Sequence, residues 1–362
     1  MPGRKDAPPM VTTVAMVGDV AGGGAVGVTV PFLQFQRAMA RLTRAGDCAL
    51  LNLECPLTDH AKSPVRKHYC FRLPETYVRA LNPRIVVGLA NNHILDFGPT
   101  GLLNTIRLLR EHNIPYTGAG RNLAEASKPA ILEVDGVRHV FIACADDRYG
   151  SARADSPGLC PADSALIRQI IEGHRQKGDV FVVSVHMGIE FQSVPSRRMV
   201  SIAHAAIDDG ADVVVFHHAH CLSGVTRYKD RPVCWGLGNF VFGPIRGVRF
   251  FPQWTDGAVF NLITETRSER ASYVDVHPFR LGNDGSPEFE LDEASRARIA
   301  RSVESLSRLI DRGVRVTDRL AATLAPSFVA ISATNYWYFL RFYGLRALIR
   351  NVAASLQSHS RW

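Results

Sequence analysis

Short apolar runs alternate with segments of helical periodicity along most of this chain. Apolar runs of about four to eight residues between helical segments are typical of buried parallel strands joined by crossover helices. The pattern predicts strands at residues 11–17, 48–53, 85–89, 180–185 and 212–216. It predicts amphipathic helices at residues 32–42 and 101–112. We therefore expect an α/β fold.

The later part of the chain is mainly strand and then helix. Asp135-Gly136 lies between two apolar runs and predicts a tight hairpin. Further strands are predicted at residues 233–237, 258–264 and 271–277. Beyond residue 291, apolar side chains recur at helical spacing, at Ile299, Val303, Leu306, Leu309 and Ile310. We therefore divide the chain into a domain at residues 11–290 and a helical C-terminal extension at residues 291–362.

Polar side chains follow five of the predicted strands. They are Asp19, then Asn52 with Glu54, then Asn92 with His93 and Asp96, then His186, and finally His217, His218 and His220. The carboxyl ends of parallel strands meet at one edge of a sheet, so these side chains are expected to converge there. Any one of them alone would more often be structural, for example as a turn residue. Five such strand ends in one domain favour a site.

The side-chain types predict that this site binds a metal. In an extended segment the His218-x-His220 spacing places both imidazoles on the same side. Imidazole combined with carboxylate and amide oxygen suits a borderline divalent ion such as Mn, Fe or Zn better than it suits calcium. We expect one or two such ions.

The order of the motifs resembles that of CapA-type proteins. The matching motifs are Gly18-Asp19, Asn52-Leu53-Glu54, Asn91-Asn92-His93 with Asp96, His186-x-Gly188-x-Glu190, His218-x-His220 and Gly238-Asn239-Phe240. CapA-type proteins are named for poly-γ-glutamate capsule biosynthesis and belong to the calcineurin-like metallophosphoesterase superfamily. The resemblance covers residues 11–277. It implies a four-layer α-β-β-α sandwich of metallophosphoesterase type, with metals at the strand ends.

The resemblance also implies roles for individual residues. The metal ligands would be Asp19, Glu54, Asn92, His186, His218 and His220, with Glu54 contacting both ions. His93 would be a general acid or an oxyanion-stabilising donor, and Asp96 would orient it. Glu190, Asn239 and Asn52 would bind substrate or orient the ligands. Ala21 stands where the superfamily usually has a histidine. The ion held by Asp19, Glu54 and His220 would thus have one ligand fewer, and we expect unequal affinities.

The function implied is that of a metal-dependent hydrolase or an acyl or peptidyl transferase, acting on a phosphoester, acyl or γ-glutamyl substrate. The net charge of +8 suits an anionic small-molecule or polymer substrate. Basic residues scattered over a solvated surface would account for the charge equally well. The alternative, from another class, is a non-catalytic assembly factor. It would dock on a membrane-bound polymer synthase through the aromatic, basic stretch at residues 335–362.

Other classes are disfavoured. Basic residues interleaved with aromatic ones occur only in that last stretch, so no nucleic-acid partner is expected. The G-x-S-x-G nucleophile elbow and the phosphate-binding P-loop are absent from the sequence. Seven cysteines without paired spacing predict buried free thiols. No run reaches the ~18 apolar residues of a membrane span, and no signal peptide is evident. We expect a cytoplasmic protein, with peripheral membrane contact as the alternative.

Overall fold

The fold is described by a computed structural model for residues 10–23, 28–59, 69–245, 252–266 and 271–315. The strands are β1 (Met10–Ala21), β2 (Cys48–Leu53), β3 (Ile85–Gly88), β4 (Tyr116–Thr117), β5 (Ala119–Gly120), β6 (Ala130–Val134), β7 (Val137–Ala145), β8 (Gly158–Leu159), β9 (Val180–His186), β10 (Val213–His217), β11 (Val225–Tyr228), β12 (Arg231–Cys234), β13 (Asn239–Phe242), β14 (Asp256–Thr266), β15 (Ala271–Leu281) and β16 (Pro287–Glu288). The helices are α1 (Phe32–Ala45), α2 (Gly98–Glu111), α3 (Leu123–Ala126), α4 (Ser164–His174), α5 (Arg197–Asp208), α6 (Pro252–Thr255) and α7 (Glu293–Asp311), with 3-10 helices at Glu75–Ala80 and Asp147–Tyr149.

The strands form two large mixed sheets. The larger sheet has the order β16-β15-β14-β1-β2-β3-β4, and β13 also pairs with β1. The smaller sheet has the order β11-β12-β10-β9-β7-β6. Strands β1, β2 and β3 run parallel to one another, as do β7, β9 and β10. The carboxyl ends of each parallel set therefore lie at one edge of its sheet.

Successive side chains of each strand point to opposite faces of the sheet, and this divides the apolar core into three layers. Val14 and Met16 of β1 belong to one apolar cluster with Phe141 and Val182 of the smaller sheet. The intervening residues of β1 belong to a second cluster with α1 and α2. A third cluster joins the other face of the smaller sheet to α4 and α5. The two sheets thus pack against each other and carry helices on their outer faces, and the predicted α/β class is confirmed.

Helix α7 packs on the same body. Asp292 caps its first turn by accepting a hydrogen bond from the backbone N–H of Ser295 at 2.7 Å. Its buried side chains are Ile299, Val303, Leu306 and Ile310, four of the five predicted for this face. Residues 335–362 lie outside the described part of the chain, so their proposed docking role stays a prediction. Among the described residues, no helix is both long and apolar enough to cross a bilayer.

The sequence predicted turns correctly where two adjacent residues specify the turn. Asp135 and Gly136 have φ of 49° and 75° and join β6 to β7, which confirms the predicted hairpin. Lys229 and Asp230 form a similar turn, with φ of 45° and 60°. Because this turn needs only two residues, β12 begins at Arg231, two residues earlier than predicted. All seven cysteines are buried thiols outside disulfides, as expected.

Strand β1 is longer than predicted, and this changes where Asp19 lies. The strand was expected to end at residue 17, but it continues to Ala21 because β2 and β13 both pair with it in parallel there. The backbone N–H of Asp19 donates to the carbonyl oxygen of Gly238 at 3.0 Å. Asp19 is therefore held inside a sheet, opposite Asn239.

We predict that Gly18→Ala lowers stability and disturbs the position of Asp19. A Cβ at Gly18 would lie 1.9 Å from the carbonyl oxygen of Gly238, so β1 and β13 would have to separate. We expect the free energy of unfolding to fall by about 1–3 kcal/mol or more, as at other overpacked sites. Thermal unfolding of the purified variant measures this loss.

The matched control is Gly173→Ala in α4, where the added Cβ would meet no described atom within 4 Å. This change should leave stability equal or higher, by up to about 1 kcal/mol, because alanine favours helix over glycine. Equal melting temperatures for the two variants would contradict the proposed close approach at Gly18.

Candidate metal centre

Asp19 is fully buried, and its two oxygens have different neighbours. Oδ1 accepts hydrogen bonds from Asn52 Nδ2 at 2.8 Å and from His217 Nδ1 at 3.1 Å. Oδ2 lies 3.2 Å from His220 Nδ1. Burial alone would raise the pKa of Asp19, but the hydrogen bonds from His217 and His220 hold that pKa well below its ordinary value. Asp19 is therefore an ionised carboxylate with Oδ1 fixed and Oδ2 facing His220.

Glu54 follows β2 and is also fully buried. Among the described residues, neither carboxylate oxygen has a hydrogen-bond partner. Oε1 lies 3.4 Å from His186 Nε2 and 3.8 Å from His220 Nε2. Burial, reinforced by the negative charge of Asp19, raises the pKa of Glu54 well above its ordinary value. A buried carboxylate of this kind is costly without a cation. Its oxygens therefore fit a metal ligand.

His186 ends β9 and meets Asn92, which lies in the loop after β3. His186 Nε2 is 2.7 Å from Asn92 Oδ1, and Nδ1 is 3.2 Å from Asn52 Nδ2. Burial, with the neighbouring His218, lowers the pKa of His186 well below its ordinary value. His186 is thus neutral, which is the form in which an imidazole binds a metal.

His218 and His220 follow β10 with φ of 89° and 52°, in the left-handed region that residues other than glycine seldom adopt. Such backbone strain concentrates at functional sites. Burial and the charge of His220 lower the pKa of His218 to about 3. Burial also disfavours a charged His220, but Glu54 and Asp19 outweigh it and raise the pKa of His220 to about 10.

These side chains form two groups that could each hold an ion. One group is Glu54, His186 and His218, and the other is Asp19, Glu54 and His220. Within each group the ligand atoms lie within 4.8 Å of one another. Glu54 belongs to both, and Asn92 adjoins the first. The set of carboxylate, imidazole and amide donors, together with the orphaned oxygens of Glu54, fits a divalent ion of the borderline class. Ala21, which pairs with Phe242 in the sheet, has only a methyl side chain and therefore adds no ligand to the Asp19 group.

His93 and Asp96 form a pair beside the first group. His93 Nδ1 donates to Asp96 Oδ2 at 2.7 Å, and the same oxygen accepts the backbone N–H of Phe71 at 2.8 Å. The Phe71 ring lies 4.5 Å from the His93 ring. Since Nδ1 is held by Asp96, a proton given to a substrate would come from Nε2. His93 also helps lower the pKa of His218, which places it near that ligand.

The three residues predicted to bind substrate or orient ligands lie around these groups. Asn52 bridges Asp19 and His186. Asn239 Oδ1 accepts from His220 Nδ1 at 2.9 Å and so orients that ring. Glu190 is partly exposed, and its charge contributes to raising the pKa of both Glu54 and His220. Asn52 and Asn239 thus contact ligands directly, whereas Glu190 acts through its charge.

Three further residues of the site received no role in the sequence analysis. His217 fixes Asp19, and Asn91 Nδ2 donates to Asn52 Oδ1 at 3.1 Å. The Tyr149 hydroxyl lies 3.0 Å from His218 Nε2. His217 and Asn91 stand next to predicted ligands in the sequence, so their positions in these motifs could have identified them. Tyr149 lies in a polar segment where the sequence carries no such signal.

A known protein family matches the part of the chain that carries these residues. The model of the family described as "Bacterial capsule synthesis protein PGA_cap" matches residues 13–244. The chain belongs to this family. The PGA_cap match spans the residues of both ligand groups, from Asp19 to His220.

Two curated relatives show how far the similarity extends. The capsule biosynthesis protein CapA of Bacillus anthracis is 32% identical over 227 residues, which is 60% of this chain and 53% of the relative. A probable polyglutamine synthesis accessory protein of Mycobacterium tuberculosis is 32% identical over 296 residues, 76% of each chain. The chain spans about half the length of the Bacillus relatives that it matches.

Two of the solved structures that resemble this chain in part are nucleotidases. NAD nucleotidase of Haemophilus influenzae has a TM-score of 0.42 at 14% identity, covering 83% of this chain and 56% of that chain. A 5'-nucleotidase precursor of Thermus thermophilus has a TM-score of 0.40 at 12% identity, covering 82% and 60%. These overlaps are too small to support an inference about activity.

We predict that a metal titration resolves two unequal sites. Asn92, which adjoins His186, would give the Glu54 group a fourth ligand, whereas the Asp19 group would have three. His218→Ala should remove the tighter site only, and Glu54→Gln should remove both, as measured by calorimetry with Mn²⁺ and by elemental analysis. Without metal, Glu54→Gln should melt higher than wild type at pH 7, because it replaces a buried carboxyl that resists ionisation.

The control for this titration is Asp179→Asn, which alters another buried carboxylate, one paired with Arg138 at 2.9 Å. It should keep both metal sites. Two equal sites in the wild type, or full metal binding by Glu54→Gln, would contradict the assigned ligands.

We predict that metal affinity increases with pH. Because the pKa of His220 is raised to about 10, the metal-free centre holds a proton on this ring at neutral pH, and a metal bound there must displace it. Affinity should rise by up to about tenfold per pH unit for each proton released. Calorimetry in two buffers of different ionisation enthalpy counts these protons. An affinity that stays constant from pH 6 to 8 would argue against this proton displacement.

Proposed function

We propose that this chain is a metal-dependent hydrolase or acyl or peptidyl transferase in the biosynthesis of poly-γ-glutamate or a related polymer. The observation that supports it most is the pair of ligand groups sharing the buried Glu54 carboxylate, whose oxygens have no hydrogen-bond partner among the described residues. A single structural ion would not need two groups with a common bridging residue.

Some residues of the centre would bind the ions, and others would donate a proton. Asp19, Glu54 and His220 would hold one ion, and Glu54, Asn92, His186 and His218 the other. Bound there, divalent ions supply an activated water or polarise a phosphoryl or carbonyl oxygen. His93 would donate a proton or a hydrogen bond from Nε2 to the substrate oxygen, and Asp96 would keep the ring in position through Nδ1.

The substrate class follows from charge and from the names of the relatives. With a net charge of +8, the chain favours an anionic substrate. Relatives are named for capsule biosynthesis and polyglutamine synthesis. We therefore propose a phosphoester, an acyl phosphate or a γ-glutamyl amide as substrate. Buried free thiols suit a reducing compartment, and we propose the cytoplasm.

A second function is favoured by one observation. The Mycobacterium tuberculosis relative, which matches over 76% of its length, is named an accessory protein. In that case the chain would assist a membrane-bound synthase, and the metal centre would have a structural role. A catalytic pair such as His93 and Asp96 would then be dispensable.

We predict that His93→Ala abolishes activity without loss of metal. Removing a general acid typically costs about 10²–10⁴ in rate. The assay would supply Mn²⁺ and compare aryl phosphoesters, acyl phosphates and γ-glutamyl oligomers. Metal content should match the wild type, because His93 is absent from both ligand groups. The melting temperature should fall, because the buried Asp96 carboxylate loses its 2.7 Å hydrogen bond from His93, so the assay is run below the onset of unfolding.

The control is His204→Ala, which changes a histidine that stacks on Tyr228 at 3.7 Å, outside both ligand groups. It should remain active. If His93→Ala still supports polymer formation in cells as well as the wild type does, the accessory function replaces the enzymatic one.

A further inference from the structure

We propose that Tyr149 is a positioning residue of the metal centre, which sets the tautomer of His218 so that Nδ1 faces the ion. This inference rests on the proposed metal-binding function. Tyr149 is the last residue of the Asp147–Tyr149 helix, between β7 and β8. Its hydroxyl is 3.0 Å from His218 Nε2, and its ring lies 5.4 Å from the His218 ring and 6.0 Å from the His186 ring.

The state of His218 Nδ1 decides the direction of this hydrogen bond. Nδ1 is buried and, within the described residues, makes no hydrogen bond. If the hydroxyl of Tyr149 donated to Nε2, a neutral His218 would carry its proton on Nδ1, and that buried N–H would lack an acceptor. If instead Nε2–H donates to the Tyr149 oxygen, Nδ1 carries a lone pair that a metal can use. Only the second arrangement agrees with His218 as a ligand.

The chemistry of Tyr149 is compatible with this acceptor role. The phenol of tyrosine has an ordinary pKa of about 10 and is therefore neutral at pH 7. A neutral phenol oxygen accepts one hydrogen bond from His218 while its own proton points elsewhere. Residues that hold the second nitrogen of a ligating histidine commonly fix both its tautomer and its ring orientation.

The turn that carries Tyr149 is fixed to the strand that carries His186. The backbone N–H of Asp146 donates to the carbonyl oxygen of His186 at 3.1 Å. The buried Asp146 carboxylate accepts from Arg148 Nε at 2.9 Å and from Arg198 Nη1 at 3.3 Å. These bonds brace the segment on both sides, so the Tyr149 hydroxyl is held in place rather than carried on an unsupported loop.

The test compares Tyr149→Phe with Tyr77→Phe. Each change removes one tyrosine hydroxyl, and Tyr77 donates to the carbonyl oxygen of Val30 at 2.6 Å, beside α1 and away from the centre. Both variants should melt lower than the wild type in the absence of metal. Only Tyr149→Phe should weaken the Glu54, His186 and His218 site, by about 10–100-fold. Calorimetry with Mn²⁺ and the visible spectrum of Co²⁺ report the two sites separately.

A second measurement reads the tautomer without any metal. In ¹⁵N-histidine NMR of the metal-free wild type, His218 should carry its proton on Nε2, and Tyr149→Phe should shift this population toward Nδ1. Unchanged Mn²⁺ affinity in Tyr149→Phe, an equal loss in Tyr77→Phe, or a wild-type proton on Nδ1 would each overturn the assignment. If the wild type binds no metal, the proposed function fails, while the NMR result still tests Tyr149.

Discussion

The burial of Glu54 is the constraint on which the site depends. A buried carboxylate without a hydrogen-bond partner among the described residues is stable only as a neutral acid or beside a cation. The surrounding side chains would supply the second solution by holding a metal ion, with Asp19 and His220 on one side and His186 on the other. Neighbouring side chains then hold these candidate ligands, with His217 bonded to Asp19 and Asn239 bonded to His220. Polar residues that would weaken an ordinary core therefore form a connected network.

Close backbone approach makes this network possible. The carbonyl oxygen of Gly238 lies where any side chain at Gly18 would have to stand. Two glycines let β13 join β1 directly beside Asp19, and Asn239 follows at once to orient His220. The short strand β13 thus aligns candidate ligands that come from distant parts of the chain.

The sequence predicted the structural features that depend on neighbouring residues or on a family motif. Apolar runs identified most central strands because their side chains are buried on both faces. The Asp135-Gly136 turn was evident because both residues favour positive φ. The proximity of Asp19 to His220 was expected from the motif order, but the pairing of β13 with β1 was not, because it depends on contact between distant segments. Tyr149 was missed for the same reason: it meets His218 across 69 positions of sequence.

The candidate ligands come from both sheets, and this would tie the centre to the integrity of the whole body. Asp19 lies in β1 and Glu54 follows β2 of the larger sheet, whereas His186 ends β9 and His218 and His220 follow β10 of the smaller one. An ion bound between them would act as a cross-link between the two layers. Binding at 100 times the dissociation constant stabilises a folded protein by about 2.7 kcal/mol. Metal scarcity in the cell would then lower the amount of intact protein as well as its activity, so that metal supply governs its lifetime.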